Sequence, residues 1–494
     1  MLMSKVLNGM SCAAINFRAS YGEASGPVNR LATLSAMDYD AALRWLLSLP
    51  DFERTGDFAE RPDVAPVRAL LAELGDPHLG RRTVHVAGSK GKGSTVAMIE
   101  AVLRAAGVST GAYISPHLHR YTERIRIAAA PIAPEGFAAA MTPVRGAMEH
   151  VGPRFPGRQL LAFDALTAAA FVAFRDAGVN AQVVEVGLGG LLDSTNVFDA
   201  TDVVVLTPIS LEHTAILGST IGAIAAQKAA IITPGADVVA APQRESAIDV
   251  FRAQAAERGA ALIEVAAACQ LSRTAATADG QEFKLKTPHA TYVASLPLIG
   301  RHQLDNAATA VVACERFAAR AGIELTAQQV RAGLGAVSWP GRMEVLSREP
   351  LLIVDGAHNG DSAKRMVAAL REHFGLAHAT FVFGTLAGKD IDGMAAAIAE
   401  AADHVYVTAW PGARAADPRE AAAPFRAHDA LVTVLGSLAQ ALEAATADAG
   451  GRGALVAFGS IAFVAVVREY HLGIESDMIR LASAHPPESD SGPS

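Results

Sequence analysis

The run Val84-His-Val-Ala-Gly88-Ser-Lys-Gly91-Lys92-Gly93-Ser94-Thr95 closes an apolar strand pattern, turns through glycines and opens an amphipathic helix. The first amides of such a helix have no carbonyl one turn back, and the helix dipole adds to their positive potential. The loop therefore suits a phosphate. Lys92 offers a mobile cation to the outer phosphates of a nucleotide, and Ser94 or Thr95 a hydroxyl to its Mg²⁺. The common spacing G-x-x-x-x-G-K-[ST] is not met, because its first glycine would fall on Val86 and Gly93 follows Lys92. The loop is the shorter Gly-x-x-Gly-Lys-x-Ser. A second chemical signal is Glu185 in the apolar run Val183-Val-Glu185-Val. A carboxylate in a buried strand needs a compensating cation, and a Mg²⁺ at the strand's carboxyl end would supply one. Gly187-Leu-Gly189-Gly190 is not a dinucleotide fingerprint, since its third glycine would fall on Leu192.

The shortened loop resembles that of the Mur ligase superfamily, and later segments narrow the resemblance to its folylpolyglutamate synthase and dihydrofolate synthase members. They are Ser115-Pro116-His117-Leu118 with Glu123-Arg124-Ile125, Leu161-Ala-Phe163-Asp164-Ala-Leu-Thr167, Glu185 through Asn196, Glu212-His213 and Gln227-Lys228-Ala229. Gly300-Arg-His-Gln303-Leu-Asp-Asn306, Trp339-Pro-Gly341-Arg342 and Asp355-Gly-Ala-His358-Asn359 follow, with weaker matches at Lys389-Asp390 and Phe458-Gly459-Ser460. Each piece alone also reads as plain structure: a capped helix start, a proline-broken loop, a solvated lysine. Their shared order, from about Met37 to Glu469, carries the resemblance.

The resemblance implies an ATP-dependent ligase that forms an amide bond between L-glutamate and a folate-type carboxylate through an acyl phosphate. It implies a nucleotide site of Gly88, Gly91, Lys92, Gly93, Ser94, Asn306, Arg342, Asp355 and His358. Ser94, Ser115, Glu185 and His213 would hold Mg²⁺, with K⁺ a further candidate ion. Lys92, Lys228, His213 and Arg342 form the implied catalytic set, with Lys228 carbamylated. Phe163, Asp164 and Asp193 would line a pterin pocket, and Ser460 a glutamate site. Several positions depart from the family pattern: Lys90 for asparagine, Leu161 for threonine, Asp164 for glutamate, Leu191 for arginine, Glu212 for aspartate and Gly360 for proline. Dihydropteroate, tetrahydrofolate or both remain open as acceptors. The alternatives are another Mur-type amino-acid ligase, or a nucleotide-binding regulator without catalysis. A P-loop kinase or GTPase fits less well, because the loop is short and no Asn-Lys-x-Asp is present.

Elements must hold these residues together. Strands are expected at 83–87, 181–186 and 203–207, with helices at 94–106, 163–177, 220–232 and 303–320. Shorter strands and loops are expected over 239–299. A second alternating series follows Trp339-Pro340-Gly341: strands at 351–355, 379–384, 404–407 and 454–458, helices at 361–373, 391–401 and 438–449. The expected class is α/β, a P-loop-containing Mur-ligase-like domain over 37–340 with a mainly parallel sheet. A Rossmann-like, doubly wound glutamate-ligase domain takes 341–474. Residues 1–36 read as a disordered or overlong extension and 475–494 as a disordered tail. Of 494 residues, 51% are hydrophobic and 19% charged, and the net charge of −8 gives no nucleic-acid footprint. Cys12, Cys269 and Cys314 are too scattered for a disulfide framework or a zinc site. With no apolar run of membrane-spanning length, the chain reads as cytoplasmic, and by resemblance as a monomer.

Overall fold

Every residue of strand Arg82–Ala87 after its first is buried. Parallel neighbours flank it, Ala181–Glu185 on one side and Val203–Leu206 on the other. A strand covered on both faces has no polar side to alternate with: Val203–Leu206 is wholly apolar, and the polar residues of its neighbours, Thr83, His85, Gln182 and Glu185, are themselves buried. They centre an eight-stranded sheet that runs outward through Thr110–Tyr113, Ile125–Ile127 and Ala130–Pro131 on one side. On the other side it continues through Asp237–Ala240 and Ala261–Glu264. Only the 125–127 and 130–131 strands run antiparallel.

The computed structural model describes residues 35–55, 63–412, 414–450 and 453–484. One face of the large sheet packs on the phosphate-loop helix Lys92–Ala105 and the long helix Arg301–Ala321. Helices Tyr39–Ser48, Pro134–Val151 and Ala162–Asp176 build the core on the other. A three-stranded antiparallel sheet, Gln270–Thr277, Gly280–Lys286 and Thr291–Leu296, lies beside them. The C-terminal unit has its own core around six strands, in the order Glu344–Arg348, Leu351–Asp355, Ala454–Phe458, Ala379–Phe383, Ala402–Thr408 and Val432–Leu435. Only the first is antiparallel. In both sheets a later strand is inserted beside an early one, and the crevice beyond the carboxyl ends at such a reversal is where α/β sheets place ligands.

The expected strands and helices are found with ends displaced by a few residues. Three stretches differ. The middle segment is not only strands and loops, since Glu245–Glu257 is a helix. Asp417 caps a helix Pro418–Ala427 whose pattern is broken by Pro424, and a short strand at Val432–Leu435 follows. The expected disordered tail is ordered at its start: Asp477–Ala484 is a helix returning to the N-terminal unit. There Asp477 accepts from the Tyr39 hydroxyl and the Tyr121 amide, both at 2.7 Å. Arg480 pairs with Asp40 at 2.8 Å. Specific polar anchors outweigh the composition that suggested disorder. Residues 1–34 and 485–494, with Cys12, lie outside the described part. Among the described residues no helix is long and apolar enough to cross a membrane.

Asp477 leaves two buried donors unpaired if truncated, a cost of about 1–3 kcal/mol. Asp477→Ala should lower the urea midpoint of the N-terminal unit accordingly, followed by circular dichroism. An unchanged midpoint would show that the tail helix rests on the surface without holding it.

Candidate active site

The loop after strand Arg82–Ala87 is shaped by two glycines. Gly88 has φ +153°, and a Cβ there would lie 1.8 Å from Thr207 Oγ1. Gly91 has φ +82°, and a Cβ there would lie 2.4 Å from Asn306 Oδ1. Neither position admits a side chain without displacing a neighbour. The amides of Ser89 and Lys90 both donate to the Pro208 carbonyl, at 3.0 and 3.1 Å. That leaves the cradle to the amides from Gly91 to Ser94, the unpaired first turn of helix Lys92–Ala105. Gly93, on that turn, faces the Trp339 ring and Glu185.

Glu185 ends its strand with 3% of its surface exposed. Its carboxylate accepts from the Ser115 amide at 3.3 Å and lies 3.9 Å from Lys92 Nζ. Burial raises its pKa to about 7, although Lys92 and the Ser115 amide oppose the shift. Lys228 is buried; its ammonium donates to the Gly88 carbonyl at 2.9 Å and lies 3.4 Å from Glu212. Burial, assisted by Lys92, lowers its pKa to about 8, against the pull of Glu212. Glu212 lies 3.5 Å from Lys90 as well. Burial works to raise the Glu212 pKa, but Lys92, Lys228 and Lys90 outweigh it and hold the carboxyl below its ordinary range. His213 adopts φ +47° and enters the short helix Thr214–Leu217; burial lowers its pKa.

Among the described residues no three His, Cys, Asp or Glu side chains converge as a closed metal site. A desolvated carboxylate with one cation 3.9 Å away still fits a divalent ion. Ser94, Ser115 and His213, the other residues expected at such an ion, line the same cleft as Glu185.

The C-terminal unit contributes the opposite wall. The Arg342 guanidinium packs where a Cβ on Gly356 would stand, 2.2 Å from its Nη1, and its charge reaches both Asp355 and Glu185. Asp355 accepts from the Met343 and Ala357 amides at 2.8 and 2.9 Å, which fixes the turn after its strand. His358 Nδ1 lies 2.9 Å from the Gly356 carbonyl, so it carries the proton and Nε2 the lone pair. That lone pair accepts from Lys90 Nζ at 2.9 Å. Burial, then Lys90, lowers the His358 pKa to about 3.

Both walls close on one cleft of about 2660 Å³ that contains Lys90, Lys92, Ser94, Ser115, Glu185, His213, Lys228, Asn306, Arg342, Asp355 and His358. Single-ligand pockets are roughly 300–1,000 Å³, so this one has room for several reactants together. Phe163 lines it, its ring packed on Gly187 and 5.8 Å from the Tyr113 ring. Asp164 stands behind the wall, where its carboxylate accepts from the Leu161 amide at 2.8 Å and the Ser194 hydroxyl at 2.5 Å. Asp193 lines the cleft, and its oxygens accept from the amides of Leu188 and Thr195, each at 2.9 Å. Ser460 lines it too, and caps helix Ile461–Leu472 through the Phe463 amide at 3.1 Å. Asp164, Asp193 and Ser460 thus also brace the walls through backbone amides.

Arg414 and Arg124 also line the cleft, and sequence reading did not single them out as site residues. Arg414 donates to the Glu53 carbonyl at 3.0 Å across the two units. Arg414 stands in an irregular segment with no periodic signal, and Arg124, though part of a matched segment, shows its place in the cleft only in the tertiary structure.

Comparison with known proteins gives the family. Residues 160–314 match the family model of the Mur ligase middle domain, and residues 341–461 that of the Mur ligase, glutamate ligase domain. The chain is 34% identical over 443 residues to folylpolyglutamate synthase of Lacticaseibacillus casei, covering 89% of this chain and 100% of that one. It is 35% identical over 370 residues to dihydrofolate synthase/folylpolyglutamate synthase of Mycobacterium tuberculosis, covering 72% and 76%. The structure of Mycobacterium tuberculosis folylpolyglutamate synthase complexed with ADP superposes with a TM-score of 0.81 at 31% identity, covering 89% of this chain and 100% of that one. Split between two α/β units and matched over nearly all of the relative's length, the chain belongs to the folylpolyglutamate synthase/dihydrofolate synthase family of the Mur ligase superfamily.

Proposed function

We propose that this ATP-dependent ligase joins the amino group of L-glutamate to the carboxylate of a folate-type acceptor, dihydropteroate or a tetrahydrofolate. One observation carries the reading. The phosphate cradle of one unit and Arg342 and His358 of the other open on a single cleft walled by Phe163. The acceptor carboxylate attacks the γ-phosphorus of ATP, the bond to the β-phosphate oxygen breaks, and ADP leaves. The amine of glutamate then attacks the acyl carbon, loses a proton, and inorganic phosphate departs. No protein nucleophile is needed, so the chain works by position and charge. Amides from Gly91 to Ser94 and the Lys92 ammonium hold the phosphates. Arg342, arriving from the second unit, offsets the charge that spreads over the transferred group. Phe163 presents a flat apolar face suited to a pterin. A bound Mg²⁺, held by Glu185 and His213 with Ser94 and Ser115, supplies charge neutralisation at the phosphates.

Lys228 fits a carbamate. A pKa of about 8 leaves about a tenth of the amine neutral at pH 7, far more than an exposed lysine offers. The carbamate carboxylate would stand within the field of Lys92, which favours it, and close to Glu212, which opposes it.

The test is ATP-dependent phosphate release with L-glutamate, comparing dihydropteroate and tetrahydrofolate. Release with one acceptor names the activity and release with both defines a bifunctional enzyme; Lys92→Ala lowers either by about 100-fold or more. Folded, nucleotide-binding protein that releases no phosphate with either acceptor overturns the reading.

Glu185 gives a pH-dependent expectation. Its folded pKa lies above the ordinary value, so the folded state holds this proton more tightly than the unfolded chain does. The stabilisation is complete below about pH 4.5 and gone above about pH 7. At pH 8, without nucleotide or divalent ion, Glu185→Gln should therefore melt at or above the wild-type temperature; with ATP and Mg²⁺ supplied, its phosphate release should fall by about 100-fold. A melting temperature several degrees lower would mean that the ionised carboxylate stabilises the fold.

For the carbamate, Lys228→Ala should lose turnover by about 100-fold and recover part of it with added acetate, because a small carboxylate replaces the missing one. Absence of rescue, together with wild-type rates indifferent to removal of carbon dioxide, argues for an unmodified lysine.

A further inference from the structure

Lys90 has no role in the ligase chemistry described above, yet its side chain meets partners on both units across the cleft. Its amide, with that of Ser89, is tied to the Pro208 carbonyl, so the backbone is fixed and only the side chain can redirect. That side chain is 19% exposed and crosses to the C-terminal unit. Its ammonium lies 2.9 Å from the lone pair of His358 Nε2 and 3.5 Å from Glu212. An ammonium has three protons, and two such partners leave one for a further acceptor.

The charges around it are out of balance. Lys90, Lys92 and Arg342 lie within one another's fields: burial first, then Lys92 and Arg342, depress the Lys90 pKa against the pull of Glu212. Cations gathered this closely are stabilised by a polyanion. The two loop lysines also face different ways. Lys92 leans towards Glu185 on the N-terminal unit, whereas Lys90 leans towards His358 on the C-terminal unit. An oligophosphate seated on the amides from Gly91 to Ser94 would thus be gripped from two sides. Lys90 stands on the side where the units meet, where the transferred phosphoryl group has to face its acceptor.

We propose that Lys90 is a second phosphate-loop cation, one that reads the terminal phosphate of the nucleotide and so distinguishes a triphosphate from a diphosphate. The inference rests on the ligase reading above. It also gives His358 a defined part. A neutral imidazole fixed by Gly356 is an acceptor only, so it steers the ammonium without competing for the phosphate. Movement of the ammonium from His358 to the γ-phosphate would release a hydrogen bond between the units each time a triphosphate binds.

The competing role is a staple between the units, blind to the nucleotide's length. Titration calorimetry on the full chain with Mg²⁺ separates the two, using ADP and the non-hydrolysable triphosphate AMPPCP. The expected result for Lys90→Met is about a tenfold or greater loss of AMPPCP affinity with ADP affinity within about twofold of wild type. Lys90→Arg, which keeps the charge, should recover most of the loss. Lys90→Gln, polar and close in length, repeats the measurement should the methionine variant not fold. Equal losses for both nucleotides, or no loss for either, overturn the assignment. A wild-type chain that binds neither nucleotide overturns the ligase reading itself.

Discussion

The structure around the cleft depends on burying charge where strand carboxyl ends meet. Glu185 and Lys228 are buried and Glu212 is partly buried, and none is neutralised by a single ideal partner. Lys92 stands off Glu185 at 3.9 Å, too far for a tight hydrogen-bonded pair. Buried charges matched this loosely favour a bound ion or polyanion over the empty arrangement, and they subtract from folding stability. The fold tolerates them because the apolar cores behind the phosphate loop, on both faces of the parallel sheet, are large and well filled. Function here is a local violation of the rules that stabilise the rest.

A second constraint is the division of the site between two independent cores. Arg342 and His358 belong to the C-terminal unit, the phosphate loop to the other, and nothing within either sheet sets their separation. Contacts outside the sheets do so. Lys90 meets His358, Arg414 meets the Glu53 carbonyl, and Arg468 bonds His119 at 3.2 Å and pairs with Glu344. The tail helix then crosses back to Tyr39 and Tyr121. These links are polar and mostly exchangeable, the kind of interface that two units can remake as ligands come and go.

Sequence reading reached the phosphate loop, the central strands and the second doubly wound unit because each rests on local signals: glycine before a helix, runs of valine, a proline-glycine break. It named Glu185 and Lys228 and could not see that Glu212 would join Lys228 to Lys90. That link requires three segments far apart in the chain. It gave Asp164, Asp193 and Ser460 as substrate-site residues and could not show that their oxygens also accept from nearby backbone amides. A side chain's type states which bonds it can make; only the fold states which are already taken. The helix at the tail escaped for the opposite reason. Its composition is unremarkable, and its order comes from buried partners more than 350 positions away.

Gly88 shows how closely these parts are coupled. The residue before it accepts from the Thr207 amide at 2.8 Å, and the carbonyl of Gly88 itself accepts from Lys228 at 2.9 Å. At φ +153° its carbonyl can turn towards the lysine while the chain continues into the phosphate cradle. A larger residue would collide with Thr207 and break both bonds together. The glycine loop and the helix that carries Lys228 are therefore linked at the Gly88 carbonyl. A substitution at Gly88 would disturb the phosphate-loop backbone and the Lys228 ammonium together.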